Sequence, residues 1–523
     1  MGRDGGSRAS GLQDGTEVAV DVAAGEVELA STGRAMASPG PDGGDGSRNG
    51  EEQVDRLGVA PVGALLREFA IPSITSMIVS GLYNILTAIF LGWGVGDVGL
   101  AVSSICGPML IIYMSMAMLI GNGGNALAAI KLGQGRKDEA ERVLGNTFTL
   151  SFLGWAVIVV IAWLAIDPVL SISGAGEDTW ELSKLFIRIT ATGSILQLLG
   201  MGLNNFIRTA GDPNRAFWSM FAGILVDIAC SALFVLVLGF GIRGQACAIL
   251  IGQATSAALV LYYFAVSPKS PFKLRRGDLV LDWRIAKNIL AMGSASFIMQ
   301  VMNAVISIIV NNLVSIYGSM SSIGETGAFA MIAVIQRMAQ LVMFPVLGIA
   351  AAAQPILGYN YGANQPKRVK DTLTCELKWG VIICTCLWVL IEAFAPTICT
   401  WFGVSEGVLE YTQTALRVQT IALPLITFQM VIGNYYQATG RPGRSALISL
   451  TRQGLFLIPL LVGLPILIGA FFPGVDQLMG VVMAYPSSDV LSFILAIVFV
   501  IIEYRSLNRA IDAKERGEER IWS

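Results

Sequence analysis

Long apolar segments separated by short polar ones fill the chain after residue 60. A helix needs about 20 apolar residues to cross a bilayer, whereas a strand seldom exceeds about ten residues. The segment lengths therefore predict an all-α membrane protein with about 12 transmembrane helices. The predicted spans lie near 67–92, 100–128, 144–168, 180–206, 215–238 and 244–266, and then near 287–317, 326–353, 373–401, 408–436, 446–469 and 477–503.

The segment before the first span has the composition of a disordered chain. It is rich in Gly, Ser, Asp and Ala, and it cannot bury enough apolar surface to offset the entropy of ordering. It lacks a basic stretch followed by an apolar core, so it is not a signal peptide. We divide the chain into a disordered tail (1–60), a lobe of spans 1–6 (61–268), a linker (269–286), a lobe of spans 7–12 (287–505) and a C-terminal tail (506–523).

The placement of basic residues predicts the orientation in the membrane. Lys and Arg gather in the loops that follow even-numbered spans, whereas the odd-numbered loops hold mainly acids, with Arg243 as the exception. By the positive-inside rule, both termini and the linker are cytoplasmic. The basic residues of the even loops include Lys131, Arg136, Lys137, Arg208, Arg215, Lys273, Arg275, Lys367, Arg368, Arg441 and Arg444.

Composition narrows the function. Hydrophobic residues make up 54% of the chain and charged residues 14%, against roughly 25% charged in a soluble domain. The net charge of −2 gives no reason to expect a nucleic acid partner. His is absent, so any proton carrier must be a carboxylate. The seven Cys lie mainly in apolar stretches, as small buried residues do, and their spacing indicates no disulfide framework.

Two stretches of the chain repeat each other. The segment RITATGSILQLLGMGLNNFIRTAGDPNR begins at Arg188, and RVQTIALPLITFQMVIGNYYQATGRPGR begins at Arg417, a constant offset of 229 in residue number. A weaker match places Arg-Val at 142–143 against Arg-Val at 368–369, an offset of 226. The copies are six spans apart, which preserves their direction, so we expect two pseudo-symmetric six-helix bundles. Transporters rock such halves around a central cavity.

Several short motifs have a characteristic order along the chain. They are IPSI at 71–74, YNILTAIFLG at 83–92, LGQG at 132–135, RTAGDP at 208–213 and GYNYGA at 358–363. Together with the repeat, they resemble the multidrug and toxic compound extrusion (MATE) family, in particular its bacterial DinF/MepA-like branch. The fold implied by this resemblance is the MATE-like pair of six-helix bundles.

The resemblance also implies a function. MATE proteins are secondary active transporters rather than enzymes, and they export amphipathic, mainly cationic compounds in exchange for Na⁺ or H⁺. They hydrolyse no nucleotide, and this chain contains no Walker A sequence. We therefore expect a monomer in a bacterial inner membrane. Its partners would be small amphipathic cations and the lipid bilayer, and it would need no cofactor besides the coupling ion.

Two alternative functions agree less well with the sequence. A lipid-linked saccharide flippase of the same superfamily would need basic groups in its cavity to hold a pyrophosphate. The deep charge of the first lobe is instead the acid Asp227, which favours cationic cargo. A membrane-embedded enzyme or receptor is disfavoured by the absence of His and of any nucleophile motif, and by the duplicated architecture.

Ionisable groups deep in a membrane are costly and usually functional. In MATE proteins that resemble this chain, span 1 reads Y-N-x-x-D and span 5 reads N-x-x-x-D-P. Here the two acid positions hold Thr87 and Ser231, and Asp227 stands one turn away on the same helix face. We therefore predict a coupling site for a proton or Na⁺ at Asp227, the alternative being a structural carboxylate satisfied by nearby hydroxyl or amide groups. Its expected neighbours are Tyr83, Asn84, Thr87 and Ser231.

The second lobe carries the predicted substrate cavity. Met side chains suit promiscuous binding but also fill packing gaps, and most polar groups within spans bond neighbouring helices. For Asp489, a packing role is favoured over a binding role. Pro72 removes a backbone hydrogen bond in span 1, and in resembling proteins this helix bends during transport, the alternative being a static kink. The predicted cavity residues are Gln300, Asn303, Met299, Gln336, Gln429 and Asp489.

Overall fold

The chain folds into helices that are long enough to cross a bilayer. A computed structural model describes residues 54–173, 176–268, 270–271, 273–402, 406–472 and 474–518, and within these ranges the regular structure is helical, without a strand. Eleven helices pass as single spans, and a twelfth span is a pair of helices that meet at a bend of 41°. The prediction of an all-α membrane protein with about 12 spans is confirmed.

The first lobe contains six spans. They begin after short turns, and span 5 starts with Pro213 at its first helical position, where the missing N–H costs nothing. Span 5 ends in a π-helical turn, Ala232–Val237. A short helix, Ile166–Ile172, follows span 3. The spans are Val62–Val95 (span 1), Asp97–Gly133 (span 2), Lys137–Leu164 (span 3), Glu177–Thr209 (span 4), Pro213–Ser231 with its π turn (span 5) and Gly241–Ala265 (span 6).

The second lobe repeats this order. Its span 10 is the bent pair, and its span 11 contains the π-helical stretch Thr451–Leu457 between two α-helical parts. The spans are Trp283–Met320 (span 7), Gly324–Gly362 (span 8), Pro366–Trp401 (span 9), Glu406–Thr420 with Leu423–Ala438 (span 10), Pro442–Leu450 through Ile458–Phe471 (span 11) and Gln477–Glu515 (span 12).

Turn geometry fixes the register of the repeat. Gly135 and Asn364 both adopt positive φ, at 73° and 55°, just before spans 3 and 9 begin. Their residue numbers differ by 229, as do those of Lys137 and Pro366, with which the two spans start. The offset of 226 between the two Arg-Val pairs was therefore wrong. Such a surface dipeptide is a weak signal, whereas a left-handed residue marks a helix end.

The predicted domain boundaries need adjustment at three places. Residues 54–59 are helical and Leu57 is fully buried, so the N-terminal tail predicted as disordered is shorter than 1–60; residues 1–53 lie outside the described residues. Span 12 runs on to Glu515 with Leu507 buried, past the predicted end at 505. Span 7 begins at Trp283, inside the predicted linker. In each case, apolar side chains pack against the lobes.

The linker docks on the first lobe. The Glu141 carboxylate at the start of span 3 accepts a hydrogen bond from the Lys273 backbone N–H at 3.1 Å. Further along span 3, Asn146 Oδ1 accepts from the Asp282 N–H at 2.7 Å, and Thr149 donates to the carbonyl of residue 279 at 2.7 Å. The linker is thus held against span 3 by specific backbone contacts.

Both ends of the described chain lie on one side of the bundle. Arg368, after the turn between spans 8 and 9, donates to the carbonyls of Leu57 and Ala60 at 2.9 and 2.8 Å. Lys514, near the end of span 12, donates to the Asn364 carbonyl in that same turn at 2.6 Å. We call this side the termini side and the opposite side the far side.

The two lobes are packed together on the termini side. A cluster of buried apolar residues runs through the first lobe and continues into the termini half of the second, while a separate cluster fills the far half of the second lobe. Backbones approach closely here: a Cβ on Gly133 would lie 1.9 Å from the Tyr359 carbonyl oxygen, and one on Gly362 would lie 2.1 Å from that of Ile130. Only glycine permits this contact, so span 2 and span 8 close the termini side.

Candidate functional site

A buried acid stands in the middle of span 5. The side chain of Asp227 is 5% exposed, and its carboxylate accepts hydrogen bonds from the hydroxyls of Tyr83 in span 1 and of Ser231, one turn along span 5, the latter at 3.0 Å. Gly252 of span 6 makes room for it, because a Cβ there would lie 2.5 Å from Asp227 Cβ. The π-helical turn begins directly after Ser231; such turns are frequent at functional sites.

The other two predicted neighbours occupy different places. Thr87 lies within hydrogen-bonding reach of the Tyr83 hydroxyl. It therefore contacts a partner of Asp227 and not Asp227 itself. Asn84 does not contact Asp227: its side chain is exposed and donates to the Ser80 carbonyl of its own helix at 2.9 Å. Asn84 points elsewhere because it is one residue away from Tyr83 on the helix, about 100° around the axis.

No basic residue in the described part of the chain pairs with Asp227, and its hydrogen-bond donors there are hydroxyl groups. A buried carboxylate without a counter-charge is costly, so it needs a proton or a cation. Two carboxylate oxygens and the hydroxyls of Tyr83 and Ser231 are hard oxygen ligands, which suit Na⁺ as well as a proton. No cluster of three or more Asp, Glu, Cys or His that could hold a metal ion occurs among the described residues.

Span 1 connects this acid to the other lobe. Gly81, two residues before Tyr83, is covered by the ring of Phe344 from span 8, which would come within 2.3 Å of a Cβ at that position. Beyond this contact, towards the far side, Asn84 of span 1 and Arg337 of span 8 are exposed. We call the region that these two helices form beyond Phe344 the cleft.

Arg337 is a cleft residue that the sequence analysis missed. It precedes Phe344 by seven residues, which is two helical turns, so both side chains lie on the face of span 8 that meets span 1. Its guanidinium is exposed and makes no ion pair with a described residue. The signal was present, since a lone Arg interrupts the apolar run from Met331 to Phe344.

Two of the predicted cavity residues belong to one polar group. The Asn303 amide donates to Gln300 Oε1 one turn away in span 7, at 3.2 Å. The Gln453 amide, in the π-helical part of span 11, donates to Asn303 Oδ1 at 2.7 Å. These three side chains join spans 7 and 11. Asn303 remains exposed.

The remaining cavity predictions divide into exposed and buried residues. Gln336 is exposed on span 8 and Met299 is half-buried on span 7. Gln429 is 7% exposed and donates to the carbonyl of residue 448 in span 11 at 3.2 Å, so it packs helices together rather than lining a cavity. Asp489 is 4% exposed and pairs with Arg452 Nε at 2.8 Å, which gives it a structural role. Pro72 lies within span 1, which stays helical from end to end.

Two more acids within the second lobe escaped the sequence analysis. Glu503 of span 12 is buried and pairs with Arg441 and Arg444 at 3.0 and 3.2 Å, so it has its counter-charges. Glu376 of span 9 is also buried, and it has no basic partner among the described residues. Glu376 lies at the very start of the predicted span 373–401, shortly after a basic loop, so its place in the sequence indicated a solvated helix end.

The architecture defines a class of protein: a multi-pass membrane transporter with two six-span lobes packed together on the termini side, and with an acid buried in the first lobe that has no basic partner among the described residues. Comparison with known protein families identifies the family of this transporter. The family model described as MatE matches residues 72–233 and 295–462, which together make up more than half of the chain. The chain belongs to the MATE family, whose members are transporters and not enzymes.

Relatives cover almost the whole of both lobes. The chain is 23% identical over 446 residues to the FAD transporter of Shewanella oneidensis, across 84% of this chain and 94% of the relative. It is 22% identical over 422 residues to the multidrug export protein MepA of Staphylococcus aureus, across 79% and 89%. The solved structure of the MATE multidrug transporter DinF-BH in complex with R6G is 32% identical, with a TM-score of 0.77, and covers 87% of this chain and 98% of that one.

Proposed function

We propose that this protein exports amphipathic small molecules by alternating access, driven by inward flow of a proton or Na⁺ that binds at Asp227. The observation that carries the proposal is the burial of Asp227 within the membrane without a basic partner among the described residues. Its hydroxyl donors come from two helices, and one of these helices touches the other lobe. A change in the charge of Asp227 can therefore alter the contact of this helix with the other lobe.

The hydrogen bonds suggest how coupling proceeds. Tyr83 and Ser231 both donate to Asp227, an arrangement that stabilises the ionised carboxylate. When a cation binds, it competes for the same carboxylate oxygens, and at least one hydroxyl must turn its oxygen towards the cation. The tie between spans 1 and 5 then weakens. Span 1 carries that change to Phe344 of span 8 through Gly81, two residues from Tyr83.

Cationic cargo is the first candidate. Asp227 supplies a negative charge near the cleft, and a cargo cation and a coupling cation would compete for it, which is the basis of antiport. The relative MepA is described as a multidrug export protein. Lipophilic cations are therefore the cargo we propose.

Anionic cargo is a second candidate, because Arg337 is exposed on the cleft face of span 8 without an acidic partner among the described residues. An Arg at such a site binds carboxylate or phosphate groups well. The relative from Shewanella is described as an FAD transporter, and FAD carries a pyrophosphate. A lipid-linked saccharide pyrophosphate would also need a basic group in the cleft.

We also propose the orientation. The termini side carries many basic residues, including Arg368 and Lys514 at the ends of spans 9 and 12, so by the positive-inside rule it faces the cytoplasm of a bacterial cell and the cleft faces outwards. The protein would act as a monomer in the inner membrane.

Transport by purified protein in liposomes tests the function. A pH gradient and a Na⁺ gradient are imposed separately, and uptake or release of a cationic dye and of an anionic dye is followed. We expect one of the two gradients to drive the cationic dye. If neither gradient drives either dye, with protein insertion verified, ion-coupled export is wrong. Movement of the anionic dye alone would select the second candidate.

A further inference from the structure

We propose that Glu376 of span 9 is a second proton-binding site, located in the second lobe, that gains and loses its proton during the transport cycle. This inference rests on the proposed ion-coupled export but concerns a different residue and lobe. Glu376 is fully buried. Its Oε1 accepts a hydrogen bond from the Asn434 amide at 3.1 Å, while Oε2 has no partner among the described residues. A fully buried carboxyl group with one oxygen unpartnered is far more stable protonated than ionised.

The helices packed against Glu376 leave it without a counter-charge. On span 9 itself, the nearest titratable residues in sequence are Cys375 and the exposed Lys378. Spans 1, 8 and 10 contact span 9, and within residues 69–95, 338–362 and 423–438 of these spans the titratable groups are tyrosines. On span 12, the buried acids are already paired with arginines. The surroundings of Glu376 therefore favour its neutral, protonated form.

The internal repeat shows that the fold does not require an acid here. In the register set by the turns, the equivalent of Glu376 in the first lobe is Thr147 of span 3, which is also fully buried. The Thr147 hydroxyl donates to the Val143 carbonyl of its own helix at 2.7 Å, so a neutral residue satisfies the same place in the first lobe. An acid at this position is therefore present in the second lobe but not in the first. Because the first lobe folds with a neutral residue there, the free-energy cost of burying Glu376 is not explained by a need of the fold.

Asn434 connects Glu376 to the lobe interface. Its equivalent in the first lobe is Asn205, whose amide donates to Asn122 Oδ1 at 2.8 Å. The Asn122 amide in turn reaches Ser296 of the second lobe at 3.1 Å, so this position faces the interface between the lobes. Asn434 is half-buried, in contrast to Glu376 behind it. A proton could therefore reach Glu376 past Asn434 once the lobes separate on the termini side.

The proton affinity of Glu376 therefore depends on whether the termini side is closed or open. A Na⁺ ion would need several oxygen ligands, whereas the group that Glu376 meets among the described residues is the NH₂ end of the Asn434 amide, which also donates to the Ala350 carbonyl at 3.1 Å, so the chemistry favours a proton. With the termini side closed, losing the proton would leave a buried, uncompensated charge. Deprotonation therefore favours opening of the termini side, where water can reach Asn434 and Glu376.

The test compares Glu376→Gln with Glu392→Gln. Glu392 is an acid on the same helix, half-buried near the far side, where it accepts from the Trp388 indole N–H at 3.2 Å and takes no part in either proposed site. Both changes are made in the parent and in an Asp227→Asn background. Infrared spectroscopy then records the carbonyl band of a protonated carboxylic acid, and liposome transport records export driven by a pH gradient.

We expect Glu376→Gln to lose a protonated-acid band in both backgrounds and to lower pH-driven export of the parent at least tenfold. Glu392→Gln should retain both. Persistence of the band in Glu376→Gln would overturn the proposal, as would loss of the band with unchanged pH-driven export. Retained dye binding by Glu376→Gln checks that it folds. If Asp227→Asn exports normally while Glu376→Gln does not, the Asp227 site fails and the Glu376 site stands.

Discussion

Asn125 and Gln354 are 229 residues apart and hydrogen-bond to each other, with Asn125 Nδ2 3.0 Å from Gln354 Oε1. The same interval relates the two halves of the chain, so each residue occupies the other's place in the opposite lobe. A contact between equivalent positions lies on the symmetry axis that relates them. The pseudo-twofold axis therefore passes between these two side chains, and the reciprocal glycine contacts of Gly133 and Gly362 flank it.

This relationship gives a prediction about lobe closure. Asn125→Ala and Gln354→Ala each remove one interlobe hydrogen bond, worth about 1 kcal/mol, or about fivefold in the equilibrium between closed and open termini sides. Spin-label distances across the termini side should shift towards the longer distance. Asn312→Ala is the matched control, because the Asn312 amide is exposed and, within the described ranges, donates to the Ile308 carbonyl of its own helix. An equal shift in the control would contradict the assignment.

Asp227→Asn should abolish gradient-driven export while retaining folding and some cargo binding. The amide cannot exchange a proton and binds cations weakly, but it keeps the size of the side chain. The double change Asp227→Asn with Ser231→Asp restores the acid at the position that the family uses, one turn away, and should recover part of the activity. Export rates in liposomes measure both variants. Parent-like export by Asp227→Asn would move the coupling site elsewhere.

Tyr83→Phe should weaken coupling without removing it. The change deletes the hydroxyl that joins span 1 to Asp227 and leaves the ring in place. A hydrogen bond to a charged group contributes about 1.5–3 kcal/mol, so we expect about a tenfold or larger loss of gradient-driven export. Tyr262→Phe is the control, since Tyr262 is an exposed tyrosine on span 6. Equal effects of the two changes would argue against a specific role for Tyr83.

Arg337→Gln separates the two candidate cargoes. If the cargo is cationic, removing a like charge from the cleft should leave export of cationic dyes unchanged or increase it. If the cargo is anionic, the same change should reduce its export about tenfold or more, because an Arg–phosphate contact is charge-assisted. Parallel transport assays with one dye of each charge measure the difference. Loss of cationic dye export in this variant would contradict the first candidate.

Cysteine labelling tests the orientation. In a background without the native cysteines, two of which are exposed at Cys247 and Cys386, Gly407→Cys on the far side should react with an impermeant reagent in intact cells. Lys367→Cys on the termini side should react only after the membrane is opened. Both positions are exposed, so accessibility to water is matched. The reverse pattern would place the termini outside.

The sequence alone determined the number and order of the helices. The thickness of a bilayer sets the length of each apolar segment, so segment lengths predict spans without knowledge of their contacts. The repeat from Arg188 and Arg417 predicted two lobes, because both copies hold Gly and Pro at the same positions of a turn. The backbone geometry of a turn restricts which residues fit there. The span 5 acid was also visible, since a charge in an apolar run stands out.

The tertiary structure decided which way each polar side chain points. Spans packed inside a membrane protein are apolar on nearly every side, so their sequences do not mark a core face. Asn84 and Tyr83 are neighbours in sequence, yet only Tyr83 reaches Asp227. Asp489 and Glu376 are both buried acids, yet one meets an arginine and the other an amide. Such differences arise from helix rotation and lobe packing, which contacts distant in sequence determine.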